Sequence, residues 1–331
     1  MIDAPARYRA ALQTRWEETL SRPPLNDLPY TRPTAKPDLG TSAATVPSWL
    51  QLPVWLHEGW RRPSASERLS SRVLDLLWAQ YALFAYIRLQ DDLLDRHMSD
   101  LQIQFVADRF LVESLESMDR AREADAKSRA FYRTCLQTTV DGILEVRMLE
   151  GSPGTFDEHH LALHSRVSSI FKVATAAVCT VHRRSTELAW LIPLQDELAV
   201  VGQICDDLQD LEDDLREGRY TFAANALIGA RTGEAITHAD AMHRAAEGML
   251  SSARTDRIVL ALERAASTAR ALVPDTAPAP LHELVASLQK RSSVLRQNLH
   301  EASVRWIFGD GLFSVGRPSS QVSPAATFPS S

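Results

Sequence analysis

The sequence predicts an all-α protein, a single domain of long helices. Three observations carry that prediction. Apolar residues recur at three- and four-residue intervals almost without interruption from residue 48 to residue 308. Short alternating runs bounded by turn residues, the mark of strands, are nearly absent. Capping and breaking residues fall between the periodic runs, as in "SASE" (64–67) and "GSPGT" (151–155).

Residues 1–47 are rich in Pro, Thr and Ser and read as a loosely packed N-terminal arm. The capping box Ser64–Glu67 opens a helix expected to run to about Arg96. Further helices are expected near 100–122, 127–149, 157–183, 186–217, 234–273 and 281–307, with "REGRY" (216–220) as another breaker. The tail, residues 309–331, has low complexity and reads as disordered. No internal repeat is visible.

Bulk properties exclude several function classes. With 331 residues and 45% hydrophobic side chains, the chain can bury a sizeable core. The net charge is −6 and no basic stripe occurs, which argues against nucleic acid as a partner. The longest apolar run noted, Leu76–Ile87, contains Gln80 and falls short of the ~20 residues of a membrane span. No secretory pattern follows Met1. Cys135, Cys179 and Cys205 have neither zinc spacing nor the look of a disulfide framework. A reducing cytoplasm is the expected compartment.

The informative residues are carboxylates. "FAYIRLQDDLLD" (84–95) carries an apolar helical run into Asp91, Asp92 and Asp95. Asp91 and Asp95 share a helix face, and behind them lie Ile87, Phe84, Gln80 and Leu77. Like charges one turn apart repel, so a functional reading needs a cation. Oxygen ligands at this spacing suit magnesium, which keeps several waters and is completed by phosphates. A second cluster follows Asp91 by 115 positions (206 − 91): "GQICDDLQDLEDDLREGRYTF" (202–222) holds Asp206, Asp207 and Asp210 in the same DDxxD spacing. It too ends an apolar helix, and if the two helices pack antiparallel or side by side both acidic ends can face one cavity. His159, His160 and His164 lie between the clusters and read as polar helix residues, because magnesium prefers oxygen.

"QDDLLD" and "QICDDLQD…DLREGRYTF" resemble the two aspartate-rich motifs of the trans-isoprenyl diphosphate synthases, and of class I terpenoid synthases more widely. Arg219 stands where that family has Lys after the second motif, and Thr221 is retained. "HHLALHSRVSSIFKVA" (159–174) is similar to the family's Lys-Thr segment, with Arg166 at the Lys position followed by Ser168, Ser169 and Phe171. Gln137 and Asp141 match a family Gln/Asp pair more loosely. The resemblance spans about residues 60–225.

The resemblance implies the isoprenoid synthase fold, a single-domain bundle of long antiparallel helices around a central cavity, here over residues 48–308. It implies an allylic prenyl diphosphate as substrate and three Mg²⁺ ions held by Asp91, Asp92, Asp95, Asp206, Asp207 and Asp210. Asp91, Asp95, Asp206 and Arg166 are then the expected catalytic residues. Arg166, Arg219, Tyr220, Phe84, Phe171 and Gln203 are expected to bind substrate. Relatives often form homodimers.

Two departures separate cyclisation from chain elongation. "EGWRRPS" (58–64) stands where an elongating synthase carries "GGKRxRP", and "RHMSD" (96–100) stands in place of an Arg pair. The cations for a second diphosphate are degraded while the ionising carboxylates are kept. The expected activity is therefore a terpene synthase, a carbon–oxygen lyase. An elongating prenyltransferase is the alternative, ahead of a head-to-head synthase of the squalene or phytoene type and of a non-catalytic partner subunit. In elongating relatives bulk four or five residues before the first motif shortens the pocket, so Tyr86, five residues before Asp91, implies by that resemblance a shallow pocket for a C10–C15 chain.

Overall fold

A computed structural model describes residues 4–21, 48–61, 67–94, 102–121 and 126–307. The described residues are helical and contain no strand, as the periodicity predicts. The tail expected at 309–331, residues 96–100 and most of the 64–67 capping box lie outside them. The chain groups into two compact units. The first comprises Met1–Arg147, Leu161–Gly202 and Arg264–Gln289; the second comprises Met148–His160, Gln203–Glu263 and Lys290–Ser331.

The first unit is organised on α3 (Glu67–Leu94). From Val73 to Leu83 its residues are apolar at nearly every helical angle, so no face can be left to water. Val73, Leu76, Leu77, Trp78, Tyr81 and Leu83 are all buried. Its closest packing is with α4 (Gln102–Ala121), where the Ser114 hydroxyl donates to the Ala79 carbonyl at 2.7 Å. Further along α3, Phe84 and Ile87 are half-buried while Leu89 is buried.

The arm reading of residues 1–47 does not hold for its first part. α1 (Ala4–Ser21) is a helix whose Tyr8, Leu12 and Trp16, spaced by four, are buried. Trp16 stacks on Phe110 at 4.8 Å between ring centroids and meets Tyr81 edge-on at 5.5 Å. Composition averaged over 47 residues hid this stripe, because the Pro-rich stretch begins only after Ser21. α2 (Ser48–Trp60) adds Leu52, Leu56 and a fully buried His57, whose Nδ1 lies 2.9 Å from His182 Nε2.

Three of the long helices expected are interrupted. After α5 (Ala126–Glu150), the segment 157–183 forms two 3₁₀ turns (Glu158–Ala162 and Ser169–Phe171) and two helices, α6 (Leu163–Val167) and α7 (Lys172–Val181). α8 (Leu188–Gln209) stops at Asp210 and α9 (Leu211–Arg216) begins anew. α11 (His238–Leu250) and α12 (Ser252–Leu272) are parted by the extended Ser251. α13 (Ala279–Ile307) follows the expected span.

Among the described residues, one helical stretch, Ser185–Gln209, is long and apolar enough by length and composition to cross a membrane, contrary to the reading that placed the longest run at 76–87. Its centre carries Gln195, which donates to the Phe171 carbonyl, and Asp196, ion-paired to Lys172.

In the second unit, α10 (Phe222–Ile228) is buried at every residue. It packs on α11 so closely that a Cβ on Gly248 would fall 2.0 Å from the Leu227 carbonyl oxygen.

Because Trp16 fills the junction of α1 with α3 and α4, Trp16→Ala should cost about 3–5 kcal/mol of stability in urea denaturation. An unchanged midpoint would mean that α1 is not part of the core.

Candidate functional site

The second aspartate cluster is built at the end of α8, where the chain turns twice within a dozen residues. Asp206 and Asp210 are one helical turn apart and exposed, and the Asp210 amide closes that turn on the Asp206 carbonyl at 2.9 Å. Asp207 points the other way and is 1% exposed. Its Oδ1 accepts from Gln203 Nε2 at 2.8 Å and its Oδ2 from the Ala223 amide at 3.2 Å; the Thr221 hydroxyl also bonds to it. Thr221 in turn caps α10, accepting from the Ala224 amide at 3.4 Å. Two of the otherwise unpaired amides in the first turn of α10 are therefore satisfied by side chains.

Asp207, expected as a metal ligand, faces the interior. Both of its oxygens are engaged inside the protein. Burial pushes its pKa up to about 6, while the bonds from Gln203, Ala223 and Thr221 hold it from rising further. Gln203, expected to touch substrate, donates to Asp207.

The turn that follows, 217–221, presents the two other predicted residues. Gly218 takes φ +73°, a conformation in which glycine is at home. Arg219 is half-buried and donates to Asp214 at 2.6 Å, with Glu217 at 3.1 Å. Burial pushes the Asp214 carboxyl up, to about 8, against the pull of Arg219. The Tyr220 amide donates to the Glu150 carbonyl at 2.8 Å, and Asn225 Nδ2 donates to the Tyr220 carbonyl at 2.6 Å. Asn225 also accepts from the Gly154 amide, tying the "GSPGT" turn to this one. Sequence reading missed Asn225 and Glu150. A lone Asn inside the apolar run "FAANALIG" was the available signal, since a buried amide must find partners.

In the first unit, Arg166 lies in the last turn of α6, just before the break at 168–171. The break is held against α5. The Thr139 hydroxyl accepts from the Ile170 amide at 3.1 Å and donates to the Arg166 carbonyl at 3.4 Å. Gly142 lets the two segments touch: a Cβ there would lie 2.9 Å from the Val167 nitrogen. The Arg166 guanidinium is partly exposed and ion-paired with Glu145, while Gln137 donates to Asp141 at 2.8 Å. Phe171 is buried and its ring centroid lies 6.3 Å from that of Phe84. Thr139 and Gly142 were not anticipated, because a Thr or Gly inside a helical pattern carries no local sign of the strand of chain it will meet.

The other predicted residues divide. Asp91 and Asp92 belong to the last turn of α3, but their side chains, like Asp95 as a whole, lie outside the described residues. His164, expected as a polar helix residue, is buried at 3% exposure, and burial lowers its pKa to about 4. His160 pairs with Asp157 at 3.0 Å. Among the described residues, no group of three or more His, Cys, Asp or Glu side chains is gathered as a metal site. A separate cavity of about 240 Å³ in the first unit, bordered by Arg15, Trp78, Glu113 and Arg120, contains none of the predicted residues.

No family model, no curated protein and no solved structure matches the chain.

Two outcomes test the division of roles in the second cluster. Asp207→Ala leaves the Ala223 amide unpaired and should cost about 1–3 kcal/mol of stability at pH 7, whereas Asp206→Ala should shift it by no more than about 0.5 kcal/mol. Both are read by urea denaturation. The pH profile of stability gives the second test. His164, neutral in the fold down to about pH 4 but titrating near 6.5 when unfolded, contributes stability above 6.5 that is lost as pH falls toward 4. Asp207 acts oppositely: its raised pKa contributes stability below 3.8 that is lost as pH rises toward 6. His164→Gln and Asp207→Asn should therefore tilt the profile between pH 4 and 6.5 in opposite directions.

Proposed function

We propose that the protein is a magnesium-dependent class I terpene synthase, which ionises one allylic prenyl diphosphate and cyclises the carbocation. The observation that carries the reading is the split within the second cluster. Asp206 and Asp210 face outward one turn apart, while Asp207 braces the turn bearing Arg219 and Tyr220. Two exposed carboxylates at that spacing suit a hard cation that keeps some waters and shares phosphate oxygens. Magnesium bound there would neutralise the departing diphosphate as a Lewis acid.

In this reading Asp206 and Asp210 hold one part of the metal set. Asp91 and Asp95, with Asp92, hold the part that the resemblance assigns to the first motif. Arg219 offers a guanidinium fork to phosphate oxygens, and its neighbours Asp214 and Glu217 fix the fork's direction. Arg166 must exchange Glu145 for phosphate, a cheap exchange because an ion pair this exposed contributes little. Phe84 and Phe171 present ring faces to the allylic cation. Loss of the Gly-Gly-Lys and Arg-pair cations at 58–64 and 96–100 favours cyclisation over condensation with isopentenyl diphosphate.

The test is diphosphate release from C10, C15 and C20 allylic diphosphates with Mg²⁺, each with and without isopentenyl diphosphate. Terpene products from a single substrate support the reading; longer diphosphates formed only with isopentenyl diphosphate assign it to the elongating alternative. Asp91→Ala, Asp206→Ala and Asp210→Ala should each lower kcat by on the order of 10²-fold or more, with melting unchanged. Full activity in all three variants would sink the metal assignment.

A further inference from the structure

α10 is buried at all seven of its positions, and only one of its residues is polar. Asn225 is 4% exposed. Asn suits a helix interior less well than Ala, and its amide loses water there, so its contacts must offset both costs. Those contacts lie outside the helix. Asn225 Nδ2 donates to the Tyr220 carbonyl at 2.6 Å, and its Oδ1 accepts from the Gly154 amide. This fixes which way the side-chain amide points, since a carbonyl only accepts and a backbone amide only donates.

Tyr220 is held from both sides. Its own amide donates to the Glu150 carbonyl at 2.8 Å, while its carbonyl accepts from Asn225. Peptide groups are planar, so holding the two that flank Tyr220 fixes its φ and ψ and the direction of its side chain. The first of those planes also contains the Arg219 carbonyl, so Arg219 is set by the same bonds. Both side chains are half-buried. Gly154 is anchored in its turn. Its carbonyl accepts from the Thr232 hydroxyl at 3.1 Å, and a Cβ on it would lie 2.7 Å from the Thr232 nitrogen. Asn225 therefore ties Tyr220 to a loop that is itself fixed, and every partner belongs to the second unit.

We propose that Asn225 is a positioning residue of the reaction, clasping the 217–221 turn to the Gly154 loop and so aiming Arg219 and Tyr220 at the substrate's diphosphate. The proposal rests on the ionising reading above and adds to it a residue that touches neither substrate nor metal. The clasp has a chemical signature, because it needs a donor and an acceptor on one planar side chain. An amide has both, a protonated carboxyl has both, and a carboxylate has acceptors only. A buried carboxylate here would also set its charge against the Tyr220 carbonyl, which favours the protonated form.

The experiment measures binding of inorganic pyrophosphate with Mg²⁺ by calorimetry, and diphosphate release from C10, C15 and C20 allylic diphosphates, on the full chain. Asn225→Ala should weaken pyrophosphate binding about tenfold in protein that is folded at the assay temperature. Asn225→Asp, compared with the wild type at each pH, should match it at about pH 5 and bind about tenfold more weakly at about pH 8. A residue that served stability alone would move the melting temperature and leave the affinity of the folded protein unchanged at every pH. Unchanged affinity in folded Asn225→Ala overturns the proposal. So does a ratio of Asn225→Asp to wild type that does not vary with pH, and this second variant decides the matter where Asn225→Ala does not fold. Wild-type release of diphosphate without measurable pyrophosphate binding overturns the proposal and leaves the ionising reading intact. No diphosphate release from any substrate by the wild type overturns both.

Discussion

The second unit depends on one buried carboxylate. Taking Asp207 out of water is costly, and three donors offset the cost: Gln203 from its own helix, the Ala223 amide and the Thr221 hydroxyl. Each bond fixes something different. Gln203 sets the rotamer of Asp207 one turn back along α8. The Ala223 amide fixes where α10 begins, and Thr221 closes the turn between them. Arg219 and Tyr220 stand between these anchors, so their positions follow from the Asp207 contacts. The Tyr220–Glu150 and Asn225–Gly154 bonds extend the constraint to the turn after α5. A repeated carboxylate motif thus contains two kinds of residue, one that faces outward and one that holds the outward-facing ones in place.

A similar economy governs the break in the first unit. A helix interrupted at 168–171 leaves amides and carbonyls without intrahelical partners. Thr139 serves both sides of the gap with one hydroxyl, accepting from Ile170 and donating to Arg166. That contact requires α5 to lie very close to the break, which only a residue without a side chain permits, hence Gly142. Gln195 supplies the Phe171 carbonyl from α8. Arg166 and Phe171 are therefore held by neighbouring helices rather than by their own. A change at Thr139 or Gly142 reaches them without touching them.

Much of the helix pattern was legible because it follows from spacing. The span of α13 and the buried stripe of α3 can be read from apolar residues at intervals of three and four. So can the Asp206–Asp210 pair, since positions four apart must share a face. The interruptions at 168–171, 210 and 251 were not legible. A helical pattern continues through each of them, and at 168–171 the groups left by the break are met by Thr139 from α5. α1 was hidden for a simpler reason: a Pro-rich stretch beside it dominated the composition.

What the sequence by itself determined is the chemistry on offer, two carboxylate clusters at helix ends with arginines and aromatics at set distances along the chain. Only the tertiary structure decided which of those carboxylates face outward. Asp206 and Asp207 are adjacent and chemically identical, and nothing local tells them apart. The difference is that α10 brings an unpaired amide to one of them, so that Asp207 is buried and bonded while Asp206 stays at the surface.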